Sequence, residues 1–270
     1  MYFVCPKCKA PLEERGGAAV CQMRHSFDRS REGYFNLLLG SVGGTHGDNK
    51  DMIAARRSFL ALGHYRPLAD LVAEMAEKSI HGSGLVLDAG LGEGYYTEIV
   101  AEKLKASSEE VSVIGFDISK DAVKRAAKRG SIDSLAVASS YHMPVGDNIV
   151  DLVINIFSPQ AVEQTLRVLK PSGEFIMAIP GEEHLFGLKS KIYDTPYKNA
   201  PTDKEISGFE LVEQAELRYT IKLEGQKAIN DLFMMTPYAY RTSSEGRARV
   251  LALDELTTDA HFIVLRYRKI

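Results

Sequence analysis

The chain has 270 residues, 45% of them hydrophobic and 26% charged, with a formal net charge of −3. That length holds one large core plus a small annex, and the net charge excludes a protein that grips nucleic acid through bulk positive potential. No apolar run approaches a membrane span and the N-terminus has no leader pattern, so a soluble cytoplasmic protein is expected, one that neither enters nor crosses a membrane.

In chain order the first feature is a metal pattern. All three cysteines lie in Cys5-x2-Cys8-x12-Cys21-x3-His25. Two tight turns each present a pair of soft ligands, as a tetrahedral zinc ion requires, and four protein ligands close the site, which makes it structural. The rival reading is three reduced cysteines that happen to lie near one histidine. Residues 1–36 are too few to fold on an apolar core alone, so metal would supply much of their folding free energy. This segment carries six basic and four acidic side chains, a net +2, leaving −5 for the rest. It is read as a zinc-binding module.

Residues 37–50 follow as a linker, glycine-rich from Gly40 to Lys50. Few packed contacts should cross it, so the two halves are expected to be separable. Helices are expected over 51–62 and 67–78, at the start of a domain that runs from 51 to 270. Apolar strands at 85–90, 111–117, 150–157 and 174–180 then alternate with helices at 95–105, 119–129 and 160–169. Such alternation means a Rossmann-like α/β fold with a parallel sheet. Long strands at 209–223 and 261–269, flanking a helix near 226–235, should add an antiparallel edge. The basic side chains of 119–129 are expected to face solvent.

The most informative stretch of the large domain is VLDAGLGEGYY, Val86 to Tyr96. Gly90, Gly92 and Gly94 occupy alternate positions on a strand-to-helix turn, where a ligand can approach the backbone closely. Asp88 precedes them, and Asp117 ends the next strand, where a carboxylate can accept both hydroxyls of a ribose. An adenosine-containing cofactor is implied. The dinucleotide pattern G-x-G-x-x-G fails because Tyr95 takes the place of the third glycine.

The D-x-G-x-G-x-G form resembles motif I of class I S-adenosylmethionine-dependent methyltransferases. SSYHMPVGD, Ser139 to Asp147, is similar to the loop that flanks the adenine in that class. Taken in order, CPKCKAPL, RHSFDRSREGYFNLL, ARRSFLALGHYRPL, LGEGYYT and MMTPYAYR resemble the bacterial 23S ribosomal RNA guanine-N1 methyltransferases over nearly the whole chain. The resemblance implies zinc on Cys5, Cys8, Cys21 and His25, and cofactor contacts at Tyr65, Gly92, Glu93 and His184. It also implies a substrate, a guanine in a hairpin loop near the peptide exit tunnel, with residues 1–36 as the RNA-recognition module. Leu91 departs from the common cysteine of related sequences without loss of any required chemistry. On its own residues, Tyr65 reads equally as a core tyrosine and His184 as an exposed helix residue.

Transfer to guanine N1 needs alignment of the nitrogen with the methyl carbon and loss of the N1 proton, through a base or stabilisation of the anion. The segment Asn155 to Gln164 leaves the fourth strand where a base should enter, so Phe157 is expected to stack on it and Ser158 or backbone groups to hold its edge. Glu163 is the nearest candidate base, and no base is assigned. Arg56 and Arg57 are candidates for phosphate contacts. Two rivals stay open, a methyltransferase for a protein or small molecule and a non-catalytic RNA-binding protein, and so does the oligomeric state, a homodimer included.

Overall fold

The computed structural model describes residues 1–40 and 49–270. Residues 1–40 contain three short strands, β1 (Glu13–Arg15), β2 (Ala18–Val20) and β3 (Ser26–Asp28), in a small antiparallel sheet, and then β4 (Phe35–Asn36). Helix α1 (Lys50–Ala61) opens the second part, capped by the Asn49 side chain, which accepts from the amides of Asp51 and Met52. Helix α2 (Arg66–Ser79) starts with Pro67 in its first turn, where the missing N–H costs nothing.

The alternating region follows as β5 (Gly84–Ala89), α3 (Tyr95–Ser107), β6 (Val111–Asp117), α4 (Lys120–Ala126), β7 (Ser134–Val137), β8 (Val150–Ile156), α5 (Val162–Val168) and β9 (Leu169–Pro180). Then come α6 (Phe186–Ile192), β10 (Phe209–Glu224), α7 (Gln226–Met234), α8 (Ser244–Leu251) and β11 (Glu255–Lys269). One sheet of eight strands runs β10-β11-β9-β8-β5-β6-β7-β4. Its six strands from β9 to β4 are parallel, and β11 and β10 add the antiparallel edge expected from their length. Strand β7 and helices α6 and α8 have no counterpart in the sequence reading, since each is short and carries little periodicity.

A parallel sheet must be covered on both faces. On one face, α1, α2, α3, α6, α7 and α8 contribute to a single apolar layer that includes Phe59, Leu68, Val100, Leu188, Ile229 and Val250. The other layer is built partly by the N-terminal segment. Phe3, Cys5, Leu12, Phe35 and Leu37 share it with Leu87, Phe116, Val168 and Tyr267.

This corrects the expectation of separable halves. The linker expected over 37–50 begins with a buried Leu37 whose amide donates to the Val137 carbonyl at 3.0 Å, and its residues 41–48 lie outside the described residues. The physical reason is that β4 hydrogen-bonds to the free edge of β7 and its neighbours cover an apolar sheet face. Among the described residues no helix is long and apolar enough to cross a membrane.

Candidate active site and metal centre

The four predicted metal ligands converge. Their ligand atoms all lie within 4.8 Å of one another. The Cys8 and Cys21 sulfurs are 3.6 Å apart, and His25 Nδ1 stands 3.4 Å from the Cys5 sulfur and 3.5 Å from that of Cys21. Ligands about 2.0–2.3 Å from a tetrahedral zinc ion are separated by about 3.4–3.8 Å, so the set fits such an ion, and it is far too open for a disulfide. Two knuckle-like turns create it. The carbonyls of Cys5 and Cys21 accept from the amides of Lys9 and Arg24, both of which take left-handed backbone angles, φ 62 and φ 61.

At the carboxyl ends of the strands lies a cavity of about 900 Å³. This is at the upper end of the roughly 300–1,000 Å³ usual for small-molecule sites, with room for a nucleoside-sized cofactor and a base. One wall is the glycine turn between β5 and α3. Gly90 has φ 99 and is pressed so closely on Ser158 that any Cβ would collide with that side chain. Gly94, with φ 81, is the N-cap of α3, and a Cβ there would stand 3.1 Å from Ala126 and from Arg129. Gly94 therefore serves close packing against α4, and unlike Gly90 and Gly92 it does not line the cavity.

Three carboxylates of this wall differ in state. Asp117 accepts from the Gly92 amide at 2.9 Å and from the Ser119 amide at 2.8 Å, so it holds the turn as well as facing the cavity. Glu93 is buried and paired with Arg129 at 2.8 Å, while Arg129 also pairs with Glu98. The basic side chains of 119–129 are thus not all a solvated face; Lys124 pairs with Glu32 at 3.0 Å as well.

Asp88 is 2% exposed, accepts from the Thr97 hydroxyl at 2.6 Å through one oxygen, and has no partner for the other. Burial pushes its carboxyl up to about 7, helped by the Asp117 charge and opposed by the Thr97 bond. An orphaned, buried carboxylate oxygen in a cavity wall fits a ligand that brings a cation or a donor, as the ammonium and sulfonium of S-adenosylmethionine do.

The opposite wall is assembled from distant segments. Tyr65, 3% exposed at the start of α2, packs edge-on against Phe59 and Phe262 and sets its hydroxyl 3.3 Å from His184 Nε2. His184 Nδ1 accepts from the His261 amide at 3.3 Å, which leaves the ring proton on Nε2. His184 is buried, not exposed as expected, because β11 pairs with β9 and brings Phe262 opposite Pro180. Burial, with Lys189 and His261 nearby, pushes it down to about 3, so the imidazole is neutral. Burial likewise holds the Tyr65 and Tyr96 phenols well above their usual range, and Tyr238 is pushed up to about 12.

Phe157 and Ser158 both border the cavity. Phe157 is 44% exposed with φ 55, an uncommon angle for a non-glycine residue, and its ring lies stacked 6.4 Å from that of His184. Buried Asn155 fixes this bend by reaching the carbonyls of Ala89 at 3.4 Å and Pro159 at 3.2 Å. Arg56 faces the cavity and donates to the Met235 carbonyl at 3.2 Å, whereas Arg57 is exposed outside it. Glu163 is exposed on α5 and does not border the cavity. Tyr96, Tyr141, Met235 and Tyr238 also line the cavity and escape a reading of the sequence, although Tyr96 adjoins the glycine turn and the other three lie in segments already singled out.

Comparison with known proteins decides the family. Residues 3–39 match the zinc-ribbon family described as RlmA, N-terminal, and residues 80–230 match a methyltransferase domain family. A 23S rRNA (guanine(748)-N(1))-methyltransferase of Streptomyces fradiae is 31% identical over 98% of this chain and 96% of its own length. The chain belongs to this family of 23S rRNA (guanine-N1)-methyltransferases. A relative from Micromonospora griseorubida, assigned provisionally to the same activity, is 33% identical over 100% of this chain and 98% of its own. Among solved structures, the YcgJ protein of Bacillus subtilis covers 74% of this chain and 97% of its own, at 16% identity and a TM-score of 0.48, too distant to add to the assignment. The family places a zinc ribbon before a class I methyltransferase domain that uses S-adenosylmethionine, which accounts for both the metal cluster and the glycine turn.

Proposed function

We propose that this rRNA methyltransferase transfers a methyl group from S-adenosylmethionine to N1 of a guanine in a hairpin loop of 23S ribosomal RNA near the peptide exit tunnel. The observation that carries the reading is the mouth of the cavity, where half-exposed Phe157 stands beside Ser158, whose side chain presses on Gly90. An aromatic ring beside a cofactor turn suits a base lifted out of its loop and stacked there. The family's full-length relatives, one of them named for guanine 748, support the choice of substrate.

In this reading Asp117 takes the ribose, Asp88 the cationic end, and Gly90, Gly92 and Glu93 the remainder of the cofactor. When bound, the cofactor supplies an activated methyl carbon with a neutral thioether as leaving group. The protein itself must align the guanine and tolerate loss of its N1 proton. The wall facing the glycine turn offers donors suited to this, namely phenols held protonated, a neutral imidazole and the Arg56 guanidinium. Such a wall stabilises an anionic guanine edge, and exposed Glu163 has no place in it. Arg57, outside the cavity, is left for the phosphate backbone.

The test is methyl transfer to naked 23S rRNA from cells lacking the enzyme. A methyl group on N1 blocks base pairing, so reverse transcription should stop at one hairpin guanine only after treatment with protein and cofactor. Methyl transfer to protein or metabolite fractions, with none to RNA, would overturn the reading.

A further inference from the structure

The zinc ribbon touches the loops that form the cofactor wall, and it does so through four separate contacts. Tyr34, 3% exposed, belongs to one apolar cluster with Leu91, Val123, Ala126 and Val137. Leu91 is the residue between Gly90 and Gly92 and itself borders the cavity. Val123 and Ala126 are on α4, whose Ala122 also borders the cavity. Glu32 is paired with Lys124 of the same helix at 3.0 Å.

The other contacts hold the segment Ser139 to Tyr141, which forms part of the cavity wall, from both sides. Before it, Phe35 and Asn36 of β4 pair with Ala136 and Val137 at the end of β7, and the Leu37 amide donates to the Val137 carbonyl. Beyond it, the Val4 amide donates to the Pro144 carbonyl at 2.8 Å, and Phe3 bridges Val145. Val4 adjoins the ligand Cys5, and Tyr34 follows the sheet that the second ligand pair closes.

We propose that the zinc ribbon is a positioning element of the cofactor site, acting through Tyr34 on the glycine turn, so that zinc binding and S-adenosylmethionine binding reinforce each other. The inference rests on the cofactor reading above and adds a second role for the ribbon, independent of any grip on RNA. Metal that orders residues 1–40 presses Tyr34 onto Leu91 and α4 and ties down both ends of the Ser139 loop. Without it, the cofactor would have to order that wall itself and would bind less tightly. Coupling between sites is reciprocal, so the cofactor must raise zinc affinity by the same factor, commonly about 5- to 150-fold.

Two measurements on the full chain test this. In the first, zinc affinity of the unmodified protein is titrated against a chelator with and without saturating S-adenosylmethionine. An increase of about fivefold or more is expected. In the second, cofactor affinity is measured by calorimetry, with zinc per chain determined in the same samples. Tyr34→Ala should keep one zinc yet bind S-adenosylmethionine about tenfold more weakly, and Tyr34→Phe, which retains the ring, should bind as the parent does. Equal zinc affinity with and without cofactor overturns the inference, as does parental cofactor affinity in Tyr34→Ala. If Tyr34→Ala does not fold, the chelator titration on the unmodified chain decides alone. An unmodified chain that gives no binding heat with S-adenosylmethionine refutes the cofactor reading itself and takes this inference with it.

Discussion

The two walls of the cavity are built on different plans. The glycine-turn wall comes from one strand-turn-helix unit, Asp88 to Tyr95, plus Asp117 on the adjacent strand, and it works with backbone amides and carboxylates. The facing wall gathers Arg56, Tyr65, Phe157, His184 and Tyr238 from five separate segments and works with rings and donors. Local chain geometry suffices to build the glycine turn, whereas the facing wall needs surfaces that only packing can bring together. The first wall carries carboxylates, Asp88 among them buried; the second carries aromatic rings, a neutral imidazole and the Arg56 guanidinium.

The largest change is expected from Cys21→Ser, which takes away a metal ligand and with it the support beneath the first wall. Zinc content and S-adenosylmethionine affinity should fall together; a zinc-free chain with parental affinity, read by metal analysis and calorimetry, would detach the ribbon from that wall. Next is Asp88. Its folded value of about 7 lies above the ordinary 3.8, so its contribution to stability is full below that ordinary value and is lost as pH rises through about 7. Asp88→Asn should therefore stabilise the cofactor-free chain by on the order of a few kcal/mol at pH 8 relative to pH 4. Urea titrations at the two pH values check this.

Asp117→Ala should weaken S-adenosylmethionine binding by about 1.5–3 kcal/mol, or roughly ten- to hundredfold. Part of that loss comes from freeing the Gly92 amide that Asp117 now holds. On the second wall, Phe157→Ala should lower kcat/KM for RNA by about 1–3 kcal/mol of lost stacking while calorimetry finds cofactor affinity unchanged. A matching loss of cofactor affinity would mean that the two walls are not independent. The smallest effect is expected from Tyr65→Phe, which removes the partner of a buried imidazole N–H. It should cost about 1 kcal/mol, seen as a thermal midpoint lower by about 2–4 °C.

The same contrast explains what can be read in advance. The glycine turn, Asp88 and Asp117 are legible because their spacing alone places them at strand ends. His184 reads as exposed but is not, since its cover, Phe262, lies on a strand whose register with β9 no local pattern reveals. Glu163 is the nearest carboxylate in sequence but emerges on the outer side of α5. Leu37 reads as the start of a polar, glycine-rich stretch, yet it is buried beside the end of β7.

By itself the sequence determined the ligand chemistry of the ribbon, the alternation that builds a parallel sheet, and the glycine turn at the strand ends. Each of these depends on residues close together in the chain, where spacing and backbone freedom dictate geometry. Only the tertiary structure decided that the ribbon completes one face of the sheet, that Tyr34 shares an apolar cluster with Leu91 of the glycine turn, and that five distant segments meet in the facing wall of the cavity. Those outcomes depend on which apolar surfaces find each other when both faces of the sheet must be covered, and that choice is made by packing across the whole molecule.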